Sequence, residues 1–357
     1  MNPTFNTLRV KEVRRETEEC VSVLFDVTPE LQEQYIYKPG QYLTIKREIN
    51  GEQLRRSYSI CAGLNDNELR VAVKKVPEGR FSSFVNDTLK AGDTLEVMTP
   101  MGKFTTEVDA STEKSFVFFA AGSGITPVLS LVKTILETAP KSDVTLFYGN
   151  KGFDSIIFRE QLEELKNKYM LRFRLVHIFS IENLGNELQN GFILHEKVEK
   201  LHAAFLNGQT VDEVFICGPE PMIFAVSETF EKLGYPKENI HFELFTAPTQ
   251  RENVKLDIPQ KQVQLNANVK IILDGEETLL ALDTNGESIL EAGHKAGADL
   301  PFACKGGVCC TCKAKIVEGS ASMDVNYALE KDEVEAGYIL TCQAHPTSEK
   351  LVVSFDD

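Results

Sequence analysis

The chain has 357 residues, 42% hydrophobic and 25% charged, enough for two or three domains with their own cores. Its formal net charge of -15 argues against nucleic acid as a partner, because phosphate backbones are held by basic surfaces. No stretch approaches ~18 uninterrupted apolar residues, and MNPTFNTLRVKEVRRETEEC at the N-terminus lacks an apolar leader core, so the expectation is a cytoplasmic protein with no membrane contact.

From about Thr7 to Met98 short strand patterns follow one another. LRVKEVRRE, CVSVLFDV, QYLTIKRE, QLRRSYSI, ELRVAVKKV and DTLEVM alternate or run β-branched between turn signals such as Pro39-Gly40 and Asn50-Gly51. Six such strands predict a small antiparallel barrel, interrupted by one helix after Gly79. Arg56-Ser57-Tyr58-Ser59 offers a cation, an aromatic face and hydroxyls along one strand, with Arg56 and Tyr58 expected on one face and Ser57 and Ser59 on the other. Those groups suit a flavin nucleotide. Gly79-Arg80-Phe81-Ser82-Ser83 then feeds a helix start whose free N–H groups suit a pyrophosphate. Taken singly, each also has a bland reading, as an ordinary exposed strand and an ordinary helix cap.

From Ser115 strands and helices alternate. SFVFFAA reads as a buried parallel strand, followed by Gly122-Ser123-Gly124-Ile125-Thr126-Pro127 and a helix from Val128 to about Glu137. Next come VTLFYG, a helix over Ile156 to Lys168, LRFRLVHIF, a helix near Leu194 to Phe205, EVFICG, a helix from Pro221 to Leu233, and IHFELF. This grammar predicts a five-stranded, doubly wound parallel domain. Its G-x-G-x-x-P turn is a weak motif by pattern, but it opens a helix after the first strand, where a nucleotide's phosphates belong. Cys217-Gly218-Pro219 ends the fourth strand at the ligand-binding edge, within reach of a nicotinamide; the bland alternative for Cys217 is a small core residue. Ser180-Ile181-Glu182-Asn183, with a carboxylate and no arginine, leans towards NADH, and Lys151 leans the other way.

Residues 248–266 are polar and proline-punctuated and read as a linker between residues 109–247 and 267–357, with the barrel over 1–108. The last segment carries seven lysines against sixteen acidic residues, a net of -9, which can steer a docking partner. VKIIL and EETLLAL predict a hairpin at Asp274-Gly275, SILEAGHKAG a helix, and KAKIVEG, YILTC and KLVVSF further strands. Cys304, Cys309 and Cys312, with distant Cys342, have the C-x4-C-x2-C…C spacing of a plant-type [2Fe-2S] cluster. Lys305-Gly306-Gly307 gives the loop the freedom to wrap it. A structural zinc site is the rival, but such sites pair two short C-x2-C hairpins. Cys310, between two proposed ligands, is not counted as one.

With RSYS, GRFSS, GSGITP, CGPEPM and CKGGVCCTC in this order, the chain resembles the flavin-dependent ferredoxin reductase superfamily fused to a plant-type ferredoxin, over nearly its whole length. ACKGGVCCTCKAKIVEG, MDVNYAL and LTCQAHPTS place the resemblance nearest the reductase subunits of ring-1,2-phenylacetyl-CoA epoxidase systems. It implies a flavin barrel, a nicotinamide domain and a β-grasp ferredoxin domain. It further implies that Arg56 binds a flavin phosphate, Tyr58 stacks on the isoalloxazine, Ser59 lies near its N5, and Ser82 and Ser83 hold the pyrophosphate of FAD. Gly122, Gly124 and Thr126 would cradle the dinucleotide, Cys217 would border the hydride path, and Glu243 on the last strand is a further candidate. The implied activity passes electrons from NAD(P)H through FAD and the cluster to an oxygenase, with phenylacetyl-CoA epoxidase expected; the alternative is a Rieske aromatic-ring hydroxylase, steroid hydroxylase or desaturase.

Overall fold

Inward Leu8 and Val10 alternate with outward Thr7, Arg9 and Lys11 in β1 (Phe5–Thr17), the period expected of a strand with one face on a core. A computed structural model describes residues 4–245 and 266–356, and β1 begins a six-stranded antiparallel sheet in it. The other strands are β2 (Cys20–Asp26), β3 (Tyr42–Ile49), β4 (Glu52–Ser59), β5 (Leu69–Lys74) and β6 (Thr94–Met98), in the order β4-β3-β6-β1-β2-β5. An Ile60–Val71 bridge and the Cys61 N–H on the Arg70 carbonyl (2.9 Å) join the two outer strands, so the sheet curls into the expected barrel. Helix α1 (Arg80–Asp87) buries Phe81 and Val85 in the barrel core.

The next strands are all parallel: β7 (Ser115–Ala121), β8 (Asp143–Asn150), β9 (Phe173–Phe179), β10 (Glu213–Cys217) and β11 (Ile240–Glu243), ordered β11-β10-β7-β8-β9. Helices α2 (Ile125–Thr138), α3 (Arg159–Lys168), α4 (His195–Phe205) and α5 (Glu220–Lys232) connect them. The strand order reverses between β7 and β10, so the Gly122 turn and Cys217-Gly218 open at one topological switch point, the usual place for a ligand. Two helix starts differ from expectation. α2 begins at Ile125 and not Val128, because Pro127 falls in the first turn, where a missing N–H costs nothing. α3 begins at Arg159 and not Ile156, because Phe158 is buried in a left-handed conformation (φ 62°) that interrupts the helix.

The described residues divide between the unit Phe5–Leu244 and a second unit within Phe245–Asp357. In the second, β12 (Asn266–Leu273), β13 (Glu276–Asp283), β14 (Lys313–Glu318), β16 (Tyr338–Leu340) and β18 (Lys350–Ser354) form a mixed sheet ordered β13-β12-β18-β14-β16. It grips α6 (Ile289–Lys295) through Ile289, Leu290 and Ala292, a β-grasp arrangement. Sequence patterning missed β15 (Ala321–Met323), β17 (Ala344–Pro346) and α7 (Lys331–Glu335), which are too short to carry a period. The linker expected at 248–266 lies, apart from Asn266, outside the described residues.

Candidate redox sites

Along β4, Arg56 is exposed and its guanidinium donates to the Arg55 carbonyl (2.7 Å). Tyr58 is half-buried against Phe81, ring centroids 5.9 Å apart, and burial pushes its phenol pKa up. Ser57 pairs with Thr44 through their hydroxyls (3.1 Å). Ser59 is buried and donates to Glu243 Oε2 (3.1 Å) across 184 positions of sequence. Glu243 is half-buried by its own surface yet crowded by protein. That desolvation pushes its pKa up to about 8, against a smaller downward pull from the Ser59 hydroxyl. Since Glu243 pairs in register with Cys217, the end of β4 meets the ends of β10 and β11 here.

At the α1 N-terminus the buried Ser82 hydroxyl is already used: it donates to the Gly79 carbonyl (3.0 Å) and accepts the Val76 N–H (3.1 Å). What Ser82 offers a phosphate is therefore its backbone N–H, one of the four that helix geometry leaves without a helical partner, of which the Gly79 N–H is held by the Val76 carbonyl (2.9 Å). Ser83 gives its N–H to the Gly79 carbonyl (2.9 Å) and offers its hydroxyl. A side chain at Gly79 would place its Cβ 2.5 Å from Ser82 Oγ, so glycine is required by space.

The Gly122 turn takes φ 54°, and a Cβ at Gly124 would lie 2.0 Å from the Cys217 carbonyl oxygen. These two glycines let the β7 and β10 loops touch. Thr126 is buried, and its hydroxyl donates to the Ser123 carbonyl (3.0 Å), closing the turn. Gly218 faces Met222 and Ala121, where a Cβ would be 2.5 Å from Met222 Cε. Cys217 is fully buried, and burial pushes its thiol pKa up, with Glu243 adding to the rise. Sequence reasoning missed Lys74. Its Nζ lies 3.9 Å from where a Gly122 Cβ would stand, a proximity that only the barrel's packing creates. Glu182 accepts the Phe153 N–H (2.7 Å), which commits one of its two carboxylate oxygens to the neighbouring loop. A cavity of about 600 Å³ near Arg70, Lys133 and Arg159 contains none of these groups.

In the second unit, Cys309, Cys312 and Cys342 are buried and Cys304 is half-buried. The Cys309 thiol donates to Cys304 Sγ (3.1 Å), and Cys342 also leans on Cys304 and on Cys312. Those donations lower the Cys304 pKa and raise that of Cys309. Gly306 gives its N–H to Cys304 Sγ (3.3 Å) and Gln343 Nε2 donates to Cys342 Sγ (3.7 Å). Lys305 and Gly307, though not Gly306, have positive φ (53° and 72°), which turns the loop about the sulfurs. The fit to a two-iron cluster rests on four convergent thiols and N–H donors aimed at sulfur. Cys310 turns away, donating to the Ala328 carbonyl (3.4 Å).

A curled barrel, a doubly wound sheet with its switch point against the barrel, and a four-thiol β-grasp unit define an NAD(P)H-dependent flavin iron-sulfur oxidoreductase. Family profiles agree: an Oxidoreductase FAD-binding domain over residues 8–106, an Oxidoreductase NAD-binding domain over 118–228 and a 2Fe-2S iron-sulfur cluster binding domain over 271–347. The chain is 43% identical over 353 residues to the E component of 1,2-phenylacetyl-CoA epoxidase from Escherichia coli K12, covering 99% of this chain and 98% of the relative. It belongs to that family of reductases. It is also 32% identical to the ferredoxin reductase component of 3-ketosteroid-9-alpha-monooxygenase from Rhodococcus rhodochrous, over 98% of this chain and 96% of the relative. Phthalate dioxygenase reductase shares the fold, with a TM-score of 0.60 at 23% identity over 98% of each chain. Among the described residues no helix is long and apolar enough to cross a membrane.

Proposed function

We propose that this protein is the reductase of a phenylacetyl-CoA epoxidase system, supplying single electrons to a separate oxygenase component. The observation that carries the reading is the 43% identity to the E component of that epoxidase over 99% of this chain and 98% of the relative. When bound, the nicotinamide supplies a hydride, the flavin takes two electrons and releases them one at a time, and the cluster carries one.

In this reading Arg56 meets a flavin phosphate and Tyr58 stacks on the ring. The first N–H groups of α1, with the Ser83 hydroxyl, hold the pyrophosphate. The Gly122–Gly124 turn receives the coenzyme's diphosphate, and Thr126 keeps the turn closed. Cys217 and Gly218 wall the site; the buried Cys217 thiol, held neutral, adds no charge beside the hydride path. Ser59 and Glu243 hold a proton beside the reacting ring, with Glu243 neutral below about pH 8. Cys304, Cys309, Cys312 and Cys342 ligate the two irons. The oxygenase docks on the ferredoxin unit, whose net charge of -9 suits a basic partner surface. A reducing cytoplasm is the setting that five clustered cysteines fit.

The test is reconstitution. Purified protein with FAD and iron should reduce cytochrome c from NADH or NADPH, and should support epoxidation of phenylacetyl-CoA when mixed with the oxygenase components of the epoxidase. Failure of the first sinks the enzyme reading. Success of the first with turnover only by a Rieske aromatic-ring or steroid hydroxylase transfers the chain to the second reading, which the 32% identical steroid monooxygenase reductase favours.

A further inference from the structure

Ser59 ends β4 and runs straight into residues 60–66, a loop that lies against α2, the helix that follows the Gly122–Gly124 turn. Ser130, Lys133 and Thr134 stand on one face of α2, at three- and four-residue spacing. From that face the Ser130 hydroxyl donates to the Ala62 carbonyl (2.6 Å), the Thr134 hydroxyl accepts the Leu64 N–H (3.2 Å), and Lys133 Nζ donates to Asp66 Oδ2 (2.5 Å). Thr134 also donates back to the Ser130 carbonyl (2.8 Å), which fixes its hydroxyl. On the barrel side, the Gly63 N–H donates to the same Asp66 oxygen (2.7 Å), and the Tyr37 hydroxyl lies at hydrogen-bond distance from the Ala62 (3.3 Å) and Gly63 (3.1 Å) carbonyls, so the loop keeps its shape.

The rest of α2 is largely apolar, and a buried hydroxyl destabilises a fold unless it finds a partner. Ser130 and Thr134 are 0% and 1% exposed, and both find theirs on the barrel loop. Loop and helix approach closely, since a Cβ at Gly63 would lie 2.9 Å from Lys133 Cβ. Yet packing alone does not hold this seam: the cavity of about 600 Å³ opens beside it, lined by Cys61, Ala62, Asp66 and Lys133 among others. Apolar contacts slide at little cost, whereas a hydrogen bond weakens steeply away from its preferred distance and angle and so has one register.

We propose that Ser130, Lys133 and Thr134 are positioning residues for hydride transfer, which lock the coenzyme-binding turn to the flavin-binding strand through residues 60–66. This rests on the reading that the flavin binds along β4 and the coenzyme at the Gly122–Gly124 turn. Hydride transfer needs the two reacting atoms held in contact, and a misplacement of about 1 Å can cost on the order of a hundredfold in rate. Ser130 stands on the second turn of α2, and Ala62 is the third residue after Ser59, so the lock joins the two sites by short, stiff paths. None of the three is among the groups assigned to either ligand; they act by fixing where those groups stand.

The experiment takes three readings on the flavin-loaded full chain: the anaerobic rate at which saturating NADH or NADPH bleaches the flavin, the dissociation constant of NAD+ or NADP+ by calorimetry, and the melting temperature with flavin content. Thr134→Val and Ser130→Ala each remove one hydroxyl and should slow bleaching about tenfold, with coenzyme affinity within about threefold of wild type and flavin retained. Thr134→Ser keeps the hydroxyl and should bleach within about twofold of wild type. A loss of melting temperature or of coenzyme affinity with the bleaching rate unchanged makes the contact structural and overturns the proposal, as does a Thr134→Ser variant as slow as Thr134→Val. If a hydroxyl-deleting variant loses its flavin, Lys133→Met, at the partly exposed end of the contact, decides: slower bleaching supports the lock and a wild-type rate overturns it. Wild-type protein whose flavin neither coenzyme bleaches would instead overturn the reading on which the lock rests.

Discussion

The two units build their sites in opposite ways. In Phe5–Leu244 the reacting groups come from distant chain segments: Ser59 reaches Glu243 across 184 positions, and Gly124 touches Cys217 across a strand-order reversal. In the C-terminal unit three of four thiols come from one nine-residue loop, and only Cys342 arrives from elsewhere. The first site exists because two cores, one of barrel residues and one of the doubly wound sheet, are already packed. The second gathers ligands that a metal can itself hold together, so binding and ordering of the loop are coupled. A site assembled from afar fails through packing, while a local site fails through loss of a ligand.

The sharpest way to break that comparison is Cys309→Ser. If the thiol site is local and separate, the substitution should abolish the cluster's visible absorbance and reduced-state EPR signal and stop cytochrome c reduction. Flavin content should persist, because it depends on the other unit. Loss of flavin as well would mean that the units do not fold independently.

Gly124→Ala tests the distant-segment site. The new Cβ would meet the Cys217 carbonyl at 2.0 Å, backbone against backbone, so neither side can give cheaply. Overpacking of this kind costs about 1–3 kcal/mol or more, and coenzyme affinity should fall at least tenfold while the cluster spectrum is untouched. A variant that binds NAD(P)H as wild type would show that the β7 and β10 loops do not need this contact.

Glu243→Gln is a smaller, pH-dependent change. The folded pKa of about 8 lies above the ordinary 4.5, so between these values the folded state holds a proton that the unfolded state has released. Wild type therefore loses stability as pH rises from 4.5 through 8, and the variant should not. Melting temperatures at pH 5 and pH 8.5 check this, and equal slopes for the two proteins would count against it. Ser59→Ala removes the bond that pulls the Glu243 pKa down and should move the same transition to higher pH.

Cys310→Ser should change least. Its thiol is turned away from the other four sulfurs and donates to the Ala328 carbonyl, a bond that a serine hydroxyl can also make, so cluster spectrum and cytochrome c reduction should stay within about twofold of wild type. Loss of the cluster from this substitution, with Cys309→Ser tolerated, would reverse the ligand register.

Local pattern was enough for much of this protein. The six barrel strands and the strand–helix alternation from Ser115 are periodic burial written along the chain, and the four cysteines are a spacing that few other chemistries need. Phe158 in its left-handed turn and the three-residue strands β15 and β17 escaped, because each is imposed by neighbours and has no period of its own. Sequence also named Ser59, Cys217 and Glu243 as separate candidates. Only the packed tertiary structure decided that Ser59 and Glu243 share a hydrogen bond, and that Ser82 and Thr126 spend their hydroxyls inside their own turns. Those facts depend on which distant groups are brought within about 3 Å, and a hydrogen bond is decided at that distance, not by position along the chain.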